Sequence, residues 1–177
     1  PRYDFKLGER VDSGITLRPT SKDLLIIEGI HAMNPKLTEG LPFERMIGVY
    51  ICPFDSYVIS QKGEITSRDI RLMRRSLRDM IHRNSSIMDT LERWPSVRAG
   101  EERYIKPMKQ YADFFFNSSF EYEICILKAR ILKAAATLNE SELSKLKGCL
   151  PLDLLEHFNS CENIDIPKDS IFNEFYN

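Results

Sequence analysis

The run DLLIIEG, Asp23–Gly29, decides how the rest of the chain is read. Leu24 to Ile27 are aliphatic without a break. A strand that faces water on one side alternates apolar with polar residues, whereas an unbroken run suits a strand covered on both faces. Two further runs share this character: MIGVYIC, Met46–Cys52, and ADFFFNSS, Ala112–Ser119. Each ends in polar or turn-forming residues, namely Glu28-Gly29, Pro53 and Asn117-Ser118. Helical patterns lie between and after them. That order predicts an α/β layered domain with a mostly parallel sheet. In such sheets ligands gather at the carboxyl ends of the strands.

Outward from the runs, IRLMRRSLRDMIHR, Ile70–Arg83, carries the densest charge. The spacing predicts a helix over 68–83. At about 100° per residue, Arg68, Arg71, Arg75 and Arg78 share one face, and Ile70, Met73, Leu77, Met80 and Ile81 share another. Arg74 falls off the main arginine face, where Lys should serve equally well. Asp79 points about 100° from Arg78, which leaves Arg78 free to bind oxygens. A second helix is expected over 87–93, broken at Trp94-Pro95. Gly100–Tyr111 reads as a short helix with a turn at Pro107. Helices are expected over 121–138, 140–147 and 152–158. The tail from Ile164 is expected to be extended, packing through Ile164, Ile166, Ile171, Phe172 and Phe175.

The totals bound the class. The chain has 177 residues, 42% hydrophobic and 29% charged, which suits one globular domain over 1–177. No apolar run is long enough to span a membrane. Cys52, Cys125, Cys149 and Cys161 are scattered without paired metal-ligand spacing, so they read as free thiols of a reducing, cytoplasmic setting. The net charge is −1 and the pI about 6.4. Local positive charge without global positive charge points to a focused anion site rather than a nucleic-acid-binding surface.

Three groups could carry chemistry. Every basic residue on the main helix face is Arg, whose planar fork grips phosphate oxygens by two bonds. Such a set suits phosphoryl transfer. The alternative is a solvated face with local pairs such as Arg75–Asp79. Glu28 closes an apolar run as the Mg²⁺-associated acid of P-loop NTPases does, although an acid before a Gly is also common in plain turns. His31 reads as a structural hydrogen-bonder. At the start, Tyr3 and Phe5 offer aromatic surface for a nucleobase, with Asp4 and Arg10 as polar handles. An edge strand packing its aromatics inward is the alternative.

The segments PRYDF with Arg10, LLIIEGIHAMNPKL, RLMRRSLRDMIHR, ERWPSVRAGEERYIKP, YADFFFNSSFEYE and IPKDSIFNEF resemble, in order and spacing, the uridine kinase and phosphoribulokinase family of P-loop kinases. The resemblance implies a P-loop NTPase-like layered fold. It implies transfer of the terminal phosphate of ATP (or GTP), with Mg²⁺, to a hydroxyl of a uridine- or cytidine-like nucleoside or related small molecule. It places Arg75, Arg78 and Arg83 in catalysis, on a lid helix region of about 66–94. Tyr3, Phe5, Arg10 and Arg75 fall at the substrate, Arg78, Asn117 and Ser118 at the nucleotide, and Glu28 at Mg²⁺, directly or through water.

Departures accompany the resemblance. Gly8 stands where animal-type uridine kinases read the pyrimidine with a His, and Ser85 where they have a second lid arginine. No Gly-Lys pair occurs, so the phosphate loop G-x-x-x-x-G-K-[ST] is not among these residues. In the family that loop and a catalytic Asp precede the Y-D-F segment. The expectation is therefore the C-terminal portion of a kinase, with an incomplete sheet, no turnover by itself, and strand edges that invite self-association into a homo-oligomer. A non-catalytic, nucleotide-binding or regulatory relative is the second reading, and an RNA-binding module using the arginine face the third.

Overall fold

The computed structural model describes residues 2–4, 7–161 and 165–176. They form two compact units, Pro1–Met46 and Ile47–Asn177. Phe5 and Ile164 lie outside the described residues.

The first unit opens with an antiparallel hairpin of β1 (Arg2–Asp4) and β2 (Glu9–Val11), with Tyr3 opposite Arg10. Gly8 donates its N–H to the Asp4 carbonyl at 2.8 Å, and Leu7 donates to Asp4 Oδ1 at 3.1 Å. Gly8 has φ +70, a left-handed value that a side chain would strain, so the turn calls for Gly. Residues 12–34 form turns and irregular chain without a strand. α1 (Pro35–Thr38) follows, with the Asn34 side chain accepting from Lys36 N.

The buried strand expected over Asp23–Gly29 does not form. Leu24 is 88% exposed and Ile26 82%. A strand exists only through a hydrogen-bonded neighbour, and among the described residues none pairs with this run. Its aliphatic residues specify burial, but only a partner ladder can supply it.

In the second unit β3 (Val49–Cys52) and β6 (Phe114–Asn117) pair in parallel, Val49 opposite Phe114 and Cys52 opposite Asn117. Asp113 and Ser118 extend the ladder by donating to the carbonyls of Gly48 and Cys52. Both strands lie inside the predicted runs. Both-sided burial is not found: Ile51 is 62% exposed and Phe114 to Phe116 are exposed as well. The remaining pair, β4 (Tyr57–Val58) and β5 (Glu64–Ile65), is antiparallel. The fold is thus α/β with a small parallel sheet, and its core lies among helices.

α2 (Ser67–His82) starts at a capping box in which Thr66 Oγ1 accepts from Asp69 N and Asp69 Oδ2 accepts from Thr66 N at 2.8 Å. α3 (Ile87–Gly100) repeats the device with Ser86 and Asp89. Asn84, φ +50, lies in the link between the two helices. α3 continues through Pro95, contrary to the expected break at Trp94-Pro95. Ile87, Leu91 and Trp94 are buried on one side, and that packing outweighs the hydrogen bond Pro95 cannot donate. The chain then widens into a π-turn over Glu101–Ile105 and tightens into a 3₁₀ segment over Lys106–Tyr111.

α4 (Glu123–Ala135), α5 (Glu140–Cys149), α6 (Leu152–Leu155) and α7 (Asn173–Tyr176) complete the chain. Ile70, Met73 and Leu77 of α2 meet Ile124, Leu127 and Ile131 of α4 in one core, joined by Leu146, Leu150, Leu155, Phe172 and Phe175. Met80 and Ile81, expected inside, sit on the outer turn of α2 at 39% exposure. The tail is helical at α7 rather than extended; Phe172 and Phe175 pack as expected, and Ile171 stays exposed. Among the described residues no helix is long and apolar enough to cross a membrane.

Candidate functional site

α2 sets the site in the second unit. Its middle is buried nearly all round, through Ile70, Leu72, Met73, Arg74, Ser76, Leu77 and Asp79. The strip left partly open carries Arg71, Arg75 and Arg78, as the helical spacing predicts. Asp79 is buried and gathers three guanidinium groups. Arg75 Nε lies 3.4 Å from Oδ2, Arg78 Nε 3.5 Å from Oδ1, and Arg83 Nη1 3.1 Å from Oδ1. Thr90 Oγ1 of α3 donates to Oδ2 at 3.4 Å. The Nε atoms of Arg75 and Arg78 stand at ion-pair distance without hydrogen-bond geometry. Asp79 thus sits among three guanidinium groups, one of which also meets a second carboxylate. Burial pulls the Arg75 guanidinium below its ordinary value, Asp79 working against that and the neighbouring arginines with it.

Arg78 is therefore not free of Asp79, as the 100° separation suggested. Adjacent residues diverge at Cα, but an arginine is long enough to fold back. Arg78 Nη1 also lies 3.8 Å from Glu174 Oε1 of α7, and Glu174 O is 3.1 Å from His82 Nε2. Arg71 pairs with Glu101.

Arg74 departs furthest from expectation. It is buried at 8% exposure rather than replaceable by Lys on an open face. Nε donates to Glu123 Oε2 at 2.8 Å, and Nη2 donates to the Ser118 carbonyl at 2.7 Å. The guanidinium carbon sits 5.6 Å from the ring centres of both Phe172 and Phe175. Glu123 is 1% exposed; burial pushes its carboxyl up, with Arg74 pulling the other way.

Asn117 and Ser118 sit at the carboxyl end of β6, where the strand rule directs attention. Asn117 Oδ1 accepts from Phe54 N at 3.0 Å and Ser119 N at 3.1 Å, and Nδ2 donates to Asp55 Oδ1 at 2.9 Å. Its side chain thus ties the ends of β3 and β6 together. Ser118 is buried, and its carbonyl is the one Arg74 holds.

In the first unit, Tyr3 and Arg10 face each other across the hairpin. Tyr3 is half exposed and its hydroxyl donates to the Gly8 carbonyl at 2.9 Å. An aromatic face beside a guanidinium can hold a flat polar ring. Phe5, the third member of that group, lies outside the described residues. Glu28 is exposed within the unpaired run, and His31 is exposed beyond it. Among the described residues no group of three or more His, Cys, Asp or Glu could hold a metal.

Glu123 matters and is not singled out by sequence reasoning; Asp79 is named there as a local partner of Arg75, a pairing the structure contains, but not as the meeting point of three arginines. Glu123 gives no sequence signal beyond its place at a helix start. Asp79 does give one: it lies four residues after Arg75 and four before Arg83, a spacing that puts both beside it.

Residues 1–124 match the Phosphoribulokinase / Uridine kinase family. A uridine kinase of Bacillus pumilus (strain SAFR-032) is 32% identical over 127 residues, covering 71% of this chain and 52% of that protein. One of Geobacillus sp. (strain WCH70) is 33% identical over 114 residues, covering 64% and 46%. A uridine kinase-like protein 5 of Arabidopsis thaliana is 27% identical over 128 residues, covering 71% and 23%. The chain thus spans about half the length of the two bacterial relatives. No solved structure matches.

Proposed function

The chain belongs to the phosphoribulokinase/uridine kinase family, and from that premise we propose that it takes part in phosphorylating a hydroxyl of a uridine- or cytidine-like nucleoside or a related small molecule. The convergence of Arg75, Arg78 and Arg83 on one carboxylate carries the reading. ATP or GTP supplies the phosphoryl group. Phosphoryl transfer needs cations placed where the equatorial oxygens of the moving group gather charge, more than it needs covalent chemistry. Arg75, Arg78 and Arg83 are such cations, and the region 66–94 is the lid that brings them in. Tyr3, Phe5 and Arg10 seat the acceptor, and Asn117 and Ser118 border the nucleotide.

Mg²⁺ is commonly held by one or two carboxylates with phosphate oxygens and water completing the shell. Glu28, an exposed carboxylate, fits that part directly or through water. The phosphate cradle itself is not among these residues, since no Gly-Lys pair occurs. The activity is accordingly proposed for one kinase domain to which this chain contributes, not for the 177 residues alone. Gly8 and Ser85 favour a second reading, a relative that binds nucleotide without turnover.

Arg78→Lys tests the first reading in a protein carrying this chain together with a phosphate loop. In a coupled assay with uridine, cytidine and Mg·ATP, kcat should fall about a hundredfold, as for loss of a transition-state donor, with a modest change in acceptor KM. Arg93→Lys, at an exposed position of α3, should change neither. Equal small effects at both positions would reduce the cluster to a structural ion network. Nucleotide binding without turnover would favour the second reading.

A further inference from the structure

Cys125 and Cys161, 36 positions apart in sequence, are neighbours in the fold. Cys161 N donates to the Cys125 carbonyl at 3.2 Å, and a backbone bond of that kind brings two Cα atoms to about the separation a disulfide spans. One turn along α4, Lys128 Nζ donates to the Phe158 carbonyl at 2.7 Å. Residues three apart share a helix face, so Cys125 and Lys128 together hold the chain that returns after α6. Phe158 is fixed from its other side by an edge-to-face contact with Tyr57 at 5.4 Å. Both cysteines are partly accessible. Cys125 lies just beyond the family match and Cys161 well beyond it.

We propose that Cys125 and Cys161 form a dithiol site that exchanges with a low-molecular-weight disulfide of the oxidised glutathione class and closes to an intramolecular disulfide clasping α4 to the segment after α6. The Cys161 thiolate attacks one sulfur of the small disulfide, giving a mixed disulfide and expelling one thiolate. The Cys125 sulfur then attacks the Cys161 sulfur and expels the second thiolate. Two protein thiols become one disulfide, the small disulfide is reduced to two thiols, and the two protons pass to the expelled thiolates. The fixed neighbourhood makes the second step intramolecular. Burial pushes the Cys125 thiol up, with Lys128 opposing, so Cys125 is the poorer first nucleophile and its attack relies on being held beside Cys161.

The test incubates the protein with oxidised glutathione and maps peptides without reduction. The expected product is a crosslinked Cys125–Cys161 peptide that lacks two hydrogens and carries no glutathione. Thiol titration should show these two thiols lost in addition to that of the exposed Cys149. In Cys125→Ser the glutathione should remain on Cys161, because nothing resolves it. Exposed Cys149 reports that the oxidant has acted. Absence of the crosslink in the unsubstituted protein when Cys149 is fully modified would overturn the proposal. So would glutathione retained on both Cys125 and Cys161. Neither reading depends on kinase activity.

Discussion

Replacing Arg74 by Ala leaves the Glu123 carboxylate, 1% exposed, without its cation. Breaking a buried pair from one side costs about 3–5 kcal/mol, because the surviving charge stays desolvated. The Ser118 carbonyl also loses its donor at 2.7 Å, and the flat group beside Phe172 and Phe175 is removed. With a urea slope of about 2 kcal/mol/M, the unfolding midpoint should fall by about 1.5–2.5 M. Arg74→Lys keeps the charge, but a single ammonium cannot reproduce the fork that reaches Glu123 and Ser118 together. Losing one hydrogen bond to a charged group corresponds to about 1.5–3 kcal/mol. The double substitution Arg74→Met with Glu123→Leu removes both charges and should recover most of the single-mutant loss. Urea unfolding of these variants together with the single substitutions Arg74→Met and Glu123→Leu completes a double-mutant cycle. A loss below about 0.5 kcal/mol for Arg74→Ala, or a cycle with no coupling, would refute the reasoning.

Pro95→Ala restores an N–H within α3 and should raise the urea midpoint by an amount corresponding to about 1 kcal/mol or more; a lower midpoint would mean that the π-turn after α3 depends on the proline. Asp89 is held below its ordinary 3.8 by the Ser86 hydroxyl and backbone N–H. The folded value being the lower one, the cap's contribution is complete above 3.8 and is lost as pH falls through the depressed value. Amide exchange in the first turn of α3 should therefore quicken only in that acidic window, and Asp89→Asn should abolish the dependence. Glu28→Gln, in an active protein, should raise the Mg²⁺ concentration needed for half-maximal rate; an unchanged titration would leave Glu28 a surface residue.

Helical periodicity exposed α2, and unbroken apolar runs exposed the positions of β3 and β6, because those patterns need only the chain itself. It could not tell whether the run 23–29 finds a partner, since an apolar run states a demand for burial and not its fulfilment. Proline chemistry marked Pro95 as a breaker, yet the buried side of α3 prevailed over the local rule. At the site, helix angles located the arginine strip but not its contacts. Arg78 folds back to Asp79 through a long side chain that a wheel of Cα positions omits. Arg74 finds Glu123, which is 49 positions away. The proximity of Cys125 to Cys161 was illegible for the same reason, since neither motif nor spacing connects them.

The buried Asp79 gives the arginines a resident counter-ion. An anion that reaches Arg75, Arg78 and Arg83 meets cations already held in convergence, so little ordering remains for it to impose. It must also compete with a carboxylate that is tethered in place and cannot diffuse away. Binding there is an exchange of one anion for another. A monovalent anion gains little from that exchange, since it offers no more charge than Asp79 does. A phosphate chain offers more charge and several oxygens at once, so on the proposed reading it competes better for these guanidinium groups. On the proposed reading of this site, valence selectivity would follow from the acidic side chains, Asp79 with Glu174 beside it, placed among the bases.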